Sequence, residues 1–309
     1  MKKARVYRRP QVAVAALEKG LSAAIFHGDC FDLLRAMPDQ SVDLIISSPP
    51  YCMGKEYESD NDLATFQTSH ALLMPQLVRV LRDGGNLCWQ VGWHVKNGIA
   101  APLDYFVYAE MAKHETMLLR NRIIWTFGHG LHCTNRFSGR HETVLWFSKG
   151  KNYEFDLDAV RVRQKYPGKT YSHGPKRGLP SGNPLGKNPG DVWEIPNVKA
   201  NHIEKSDHPC QFPVALVQRL IRALSKRNEI VLDPFCGVAS AGVAALFENR
   251  RFLGAELSRG YVSIGVKRLN DMSVGKTKFR PVEREIYVPK PTEKVAIAPA
   301  NYFISTERY

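Results

Sequence analysis

Ser48-Pro49-Pro50-Tyr51 stands at the carboxyl end of the apolar run Asp43-Leu44-Ile45-Ile46-Ser47. One turn thus carries a hydroxyl, rigid carbonyls and an aromatic ring. Pro49 and Pro50 fix the backbone and donate no N–H. A carbonyl can therefore be held toward a ligand while the Ser48 oxygen accepts a second hydrogen bond. Two acceptors set against an aromatic amino group would draw its delocalised lone pair back onto nitrogen and make it a nucleophile. Tyr51 offers a face on which a flat ring can stack. An isolated Pro-Pro need mean only a turn after a strand, so the rest of the chain carries the weight.

A second constellation lies far downstream. Ile230-Val231-Leu232-Asp233-Pro234-Phe235-Cys236-Gly237-Val238-Ala239-Ser240, followed by Ala241-Gly242-Val243-Ala244-Ala245-Leu246, reads as a strand, a glycine-containing turn and a small-residue helix. That is the pattern of a nucleotide-cofactor loop. About twenty residues beyond Asp233, Arg251 to Glu256 reads as the next strand and ends in an acid, placed to bind ribose hydroxyls. His208-Pro209-Cys210-Gln211-Phe212-Pro213 comes one helix before the loop, and His27-Gly28-Asp29-Cys30 follows an early apolar strand.

In this order the motifs resemble the beta class of S-adenosylmethionine-dependent DNA amino-methyltransferases. The resemblance spans most of the chain, with catalysis before cofactor binding. It implies an α/β fold built on a Rossmann-like methyltransferase sheet, with circularly permuted motif order and an inserted target-recognition region. It implies S-adenosylmethionine as cofactor, with Asp29 on its adenine and Glu256 on its ribose. His208, Pro209, Phe212, Asp233, Pro234, Phe235, Gly237 and Ser240 would surround the rest. Ser48, Pro49, Pro50 and Tyr51 are the implied catalytic residues, acting on a base flipped out of duplex DNA at a cost of about a few kcal/mol. Ser at the first position is associated mainly with cytosine N4, and Asp with adenine N6, so cytosine leads and adenine is the runner-up. The glycine loop departs from the family's Asp-Pro-Phe-x-Gly-x-Gly-Thr. Ala239 and Ser240 stand at its last two positions, and Ala239 is expected to fit if its φ is negative.

Pro209-Cys210-Gln211 also invites comparison with enzymes that methylate carbon 5 of cytosine through a thiol. There the cysteine follows the cofactor loop, whereas here it precedes it, so Cys210 is expected to be a packed thiol. An RNA or protein amide methyltransferase would carry Asn first and the opposite motif order. A DNA-binding module without activity is the other remote reading, prompted by Ala239.

The formal charge of +13 favours a polyanionic partner, here double-stranded DNA, through counterion release. The charge is uneven. From Arg161 to Gly190 there are seven Lys or Arg and no acid, among six Gly and five Pro. Arg161, Arg163, Lys165, Lys169, Lys176, Arg177 and Lys187 are expected on phosphates or base edges. Arg136 and Phe137 stand in a polar segment that in the family helps hold the flipped base. Lys55, Glu56 and Tyr57 are read as a surface loop near the catalytic turn. No apolar run approaches the roughly 18 residues that span a membrane. The six cysteines form no Cys-x-x-Cys pair, so neither a disulfide framework nor a metal site is expected, and a reducing bacterial or phage-host cytoplasm fits.

Alternating elements organise the chain. Strands are expected at Ala24–His27, Leu44–Ser47, Asn86–Gly92, Arg122–Phe127 and Glu142–Phe147, the last two paired at the sheet edge. Helices are expected at Asp32–Met37, Leu63–Leu81 and Leu103–Lys113, the second closed by Arg82-Asp83-Gly84-Gly85. Residues 1–20 read as a basic arm, frayed or lying on DNA. Residues 21–151 read as the catalytic half, 152–206 as the target-recognition region, 207–275 as the cofactor half and 276–309 as an extension. Phe279, Tyr287, Val288, Val295, Ile297, Tyr302, Phe303 and Ile304 give that extension enough apolar content to pack on the body or on a partner subunit. The resemblance also admits a homodimer and a restriction endonuclease acting on the same site.

Overall fold

A computed structural model of the chain describes residues 3–51, 62–128, 130, 132–288, 290–293 and 297. Its apolar runs are strands buried on both faces, as a parallel sheet covered by helices requires. β1 (Arg5–Tyr7) and α1 (Pro10–Glu18) lead into β2 (Ala23–His27) and α2 (Cys30–Ala36), and β3 (Val42–Ser47) precedes α3 (Leu63–Val80) and β4 (Leu81–Val91). A hairpin of β5 (Trp93–Lys96) and β6 (Ile99–Pro102) comes before α4 (Leu103–Met111), β7 (Met117–Thr126) and β8 (His141–Lys149). Then follow β9 (Val192–Glu194), α5 (Val214–Leu224), β10 (Ile230–Asp233), α6 (Ser240–Phe247), β11 (Arg251–Glu256) and α7 (Arg259–Ser273).

Among the described residues, nine strands form one sheet in the order β1-β2-β11-β10-β3-β4-β8-β7-β9. Neighbours are parallel except where β8 runs antiparallel to β4 and β7. From β3 the chain passes through α3 to β4 on one side, and from β10 through α6 to β11 on the other. Strand order therefore reverses between β3 and β10, and a crevice opens at their carboxyl ends. Ser48 and the glycine loop begin at those two ends.

Polar side chains lock this centre. Asp43 at the start of β3 accepts Ile230 N–H at 2.7 Å and Arg82 Nε at 2.6 Å, and Arg82 continues to Glu229 at 3.0 Å. The network explains a difference from the expected turn at Arg82–Gly85. These residues belong to β4, whose register against β3 shifts between Val42 and Leu44, with Gly84 at φ +74°. Lysine and arginine close the helix ends, where carbonyls lack intrahelical partners. Lys149 Nζ donates to Val78 and Leu81 carbonyls, and Arg79 donates to those of Leu34 and Met37.

The expected edge pair, β7 and β8, is present, but β9 lies outside β7 and forms the edge. The described part of residues 1–20 is not frayed. β1 pairs with β2, and Ala13 and Leu17 of α1 are buried, because apolar residues spaced along α1 cover the sheet. The extension packs on the body over its first residues. Phe279 meets Phe247 edge-on at 4.8 Å, Val282 N–H bonds Gln218, and Arg222 pairs with Glu283. Val295, Tyr302, Phe303 and Ile304 lie outside the described residues, as do Lys55, Glu56 and Tyr57.

Candidate active site

The crevice at the switch point is a cavity of about 650 Å³. Ser48, Pro49, Pro50 and Tyr51 line it from β3, and Asp233, Pro234, Phe235, Gly237 and Ser240 from β10 and its loop. Asp29, His208, Pro209, Phe212 and Glu256 complete the ring of expected residues. The fold thus gathers both proposed sets around one space.

Ser47 and Asp233 join the two strands. Ser47 Oγ donates to Asp233 Oδ1 at 2.5 Å, and Phe235 N–H donates to the same oxygen at 3.1 Å. Burial pushes the Asp233 carboxyl up to about 7 against the pull of these two bonds. Glu256 accepts the Gly237 and Ser258 N–H groups at 3.0 and 2.7 Å, and burial raises its pKa against those bonds. Asp29 caps α2, its Oδ1 accepting Phe31 N–H at 2.7 Å, as a short acid at a helix start should.

The glycine loop leaves room for a ligand. Gly237 lies at φ +50°, and a Cβ there would stand 3.1 Å from His208 Nε2, whose ring tilts against Tyr261 at 4.6 Å. A cavity of this size, a bare backbone, a ring wall and an acid at the strand end fit S-adenosylmethionine. Ala239 corrects an expectation, since its φ is +59° and not negative. It caps α6 in the left-handed region, a strain of about 1–2 kcal/mol for a residue with a Cβ, held because its methyl is fully buried. Cys210 is a second correction. It is exposed and lines the cavity, because in the His208–Phe212 loop it is Gln211 and Phe212 that turn toward the interior.

Gln90 and Glu142 were not legible as site residues, yet both line the cavity. Gln90 is buried at the end of β4, and its Nε2 donates to the Tyr51 hydroxyl at 2.7 Å and to Glu142 Oε2. Tyr51 OH donates to Glu142 Oε2 at 3.5 Å. Burial and the Glu142 charge hold the phenol well above its ordinary value, so it stays protonated. Trp125, Phe127 and Asn197 to Lys199 also line the space. The sequence signal for Glu142 was its place at the end of the polar segment that carries Arg136 and Phe137, where the next strand begins.

The expected DNA contacts lie elsewhere. Arg163, Lys165, Lys169, Lys176, Arg177 and Lys187 are exposed, whereas Arg161 is half-buried. Arg161 pairs with Asp158 at 2.6 Å and bonds the Gly186 carbonyl at 3.1 Å, so it holds its own loop together. Arg136 and Phe137 are exposed, Phe137 almost wholly, and neither lines the cavity.

A Rossmann-like sheet whose switch point sets the Ser48–Tyr51 turn beside a glycine loop is the frame of a nucleotide-cofactor site. A family model described as DNA methylase matches residues 42–267. The chain belongs to that family and is a DNA amino-methyltransferase of the N4/N6 kind. It is 42% identical over 247 residues to type II methyltransferase M.BglII of Bacillus subtilis, covering 80% of this chain and 68% of the relative. It is 30% identical to DNA adenine methyltransferase YhdJ of Escherichia coli K12, covering 80% and 82%. Among solved structures, the cytosine-N4-specific PvuII DNA methyltransferase superposes with TM-score 0.61 at 20% identity, covering 82% and 91%. TTHA0409 of Thermus thermophilus, complexed with S-adenosyl-L-methionine, superposes with TM-score 0.55 at 24% identity, covering 80% and 93%.

Proposed function

We propose that the protein transfers a methyl group from S-adenosylmethionine to the N4 amino group of cytosine at a specific site in double-stranded DNA. The observation that carries the target base is Ser48, a neutral hydroxyl, at the first position of a rigid turn on the cavity wall. When bound, the cofactor supplies an electrophilic methyl carbon on a sulfonium sulfur. The Ser48 hydroxyl and the Pro49 carbonyl accept the two amino hydrogens, which localises the nitrogen lone pair. With the methyl donor bound, that nitrogen would take the methyl carbon as the carbon–sulfur bond opens to a neutral thioether, and the surplus amino proton would pass to solvent water, since neither the hydroxyl nor the carbonyl retains it. No covalent bond to the enzyme forms. Asp29, His208, Phe235, Gly237 and Glu256 hold the cofactor, and the exposed bases between Arg163 and Lys187 take up DNA phosphates.

Adenine N6 is the second reading, favoured by the identity to the adenine enzyme YhdJ. Labelled methyl transfer to unmethylated duplex DNA, followed by digestion to nucleosides and mass spectrometry, decides between them. N4-methylcytosine is the expected product. N6-methyladenine would overturn the base and keep the mechanism.

A further inference from the structure

α5 starts without a cap of its own. Pro213 stands at the capping position and has no side-chain acceptor, so the first N–H groups of the helix need partners from elsewhere. Glu204 supplies one from 10 residues upstream, its Oε2 accepting Val214 N–H at 3.0 Å, where a carboxylate also suits the helix dipole. Its Oε1 accepts Arg280 N–H at 3.0 Å, and its backbone carbonyl accepts Gln211 Nε2 at 2.8 Å. Gln211 Oε1 in turn accepts the N–H and the hydroxyl of Ser206 at 3.1 and 2.7 Å. Residues 204–214 are thereby closed into a ring of chain, and His208 within it faces Gly237. Arg280 N–H is itself held from both sides, since Thr277 Oγ1 donates to the Arg268 carbonyl at 2.8 Å and Val282 N–H donates to Gln218. Glu204 and Arg280 are buried, and neither lines the cavity.

We infer that Glu204 is a positioning residue for cofactor binding: one buried carboxylate ties the carboxyl-terminal extension, through the Arg280 N–H, to the loop that sets His208 against the cofactor. Burying a carboxylate is costly unless donors replace its water, and two backbone N–H groups from separate segments do so here. Without the latch the loop would sample many conformations, and binding would have to order it again. The latched loop meets the cofactor already in place, so the gain belongs to affinity and not to the methyl-transfer step. The inference rests on the proposed place of the cofactor beside His208.

Three measurements on the full chain test it: calorimetric Kd for S-adenosylmethionine, amide hydrogen exchange of the free enzyme, and single-turnover methyl transfer at saturating cofactor and DNA. Glu204→Ala is expected to weaken cofactor binding roughly 5- to 50-fold, as loss of an acceptor for buried donors would. It should also speed exchange across residues 206–214 while β10 and α6 keep their native rates. The saturated transfer rate is expected to change less than about twofold. Glu204→Gln keeps one acceptor oxygen and is expected to fall between. Arg280→Pro removes the N–H and should resemble Glu204→Ala, whereas Arg280→Ala keeps it and should lose less; this pair carries the test if Glu204→Ala folds poorly. An unchanged Kd in Glu204→Ala, or faster exchange spread evenly over the core, would make Glu204 a merely stabilising residue and overturn the inference. An equal loss of the saturated rate would overturn it too, as would native affinity in Arg280→Pro. Native cofactor affinity in His208→Ala would instead overturn the placement of the cofactor, and the exchange result for Glu204→Ala keeps the two failures apart.

Discussion

At the scale of single residues, the cofactor loop works by what it omits. Gly237 adopts a left-handed φ and faces His208 across the space of a missing Cβ. Gly237→Ala must strain the backbone and shift the ring, a cost of about 1–3 kcal/mol, so calorimetry should find S-adenosylmethionine affinity reduced about 5- to 150-fold. Ala239 tolerates the same half of φ space two residues on because nothing but its own buried methyl must fit there. The exposed Cys210 on the cavity wall makes a second prediction. A maleimide should inactivate the enzyme, saturating cofactor should slow the inactivation, and Cys210→Ser should resist it; equal inactivation of that variant would place the reactive thiol elsewhere. The sequence suffices to name Gly237 because a glycine in such a loop has few other uses, whereas the exposure of Cys210 depends on how residues 208–212 cross the crevice.

At the scale of elements, the active site depends on the contact between β3 and β10. Their ends meet through the buried Ser47–Asp233 bond and, at the opposite ends, through Asp43 and Ile230 N–H. Ser47→Ala leaves the Asp233 carboxyl with one fewer donor in a buried place. It should cost about 1–3 kcal/mol in denaturant titration, and Ser47→Cys should recover little because a thiol is a weak donor. Apart from β1, Arg5 to Tyr7, which lay within the expected basic arm, most strands and most helices were legible from their apolar runs. β9 was not, since three residues, Val192 to Glu194, with one buried side chain carry no periodicity. Nor was the β5–β6 hairpin, which pairs only with itself. The bulge in β4 escaped because Gly84-Gly85 reads locally as a helix stop, and only the Arg82–Asp43 pair across the sheet extends it.

At the scale of the whole molecule, two buried titratable groups pull stability in opposite directions. Asp233 is raised from 3.8 to about 7 by burial, so between those values the folded state holds a proton that the unfolded chain releases. Stability from this site falls as pH rises from about 4 to 7, by up to about 4 kcal/mol. His70 is lowered from 6.5 to about 4 by burial. Its Nδ1 bonds the Phe66 carbonyl at 2.8 Å while Nε2 accepts Trp89 Nε1–H at 3.1 Å, which fixes a neutral ring. Its contribution is present above pH 6.5 and is lost as pH falls toward 4, by up to about 3 kcal/mol. The two slopes nearly cancel in the native protein. Asp233→Asn should therefore make Tm climb between pH 4.5 and 6.5, and His70→Leu should make it decline over the same range. A parallel response of both variants, followed by calorimetry, would refute the assignment.

The order of motifs was enough to determine the family, the cofactor loop and the catalytic turn, because each is a short local pattern whose residue types do the chemistry. The alternation of apolar runs was enough to determine an α/β core. Only the tertiary structure brought Gln90 and Glu142 to Tyr51, committed Arg161 to its own loop and folded the basic amino terminus onto the sheet. Those outcomes depend on strand order across the sheet, a long-range property in which residues from β3, β4 and β8 become neighbours, and no local pattern encodes that adjacency.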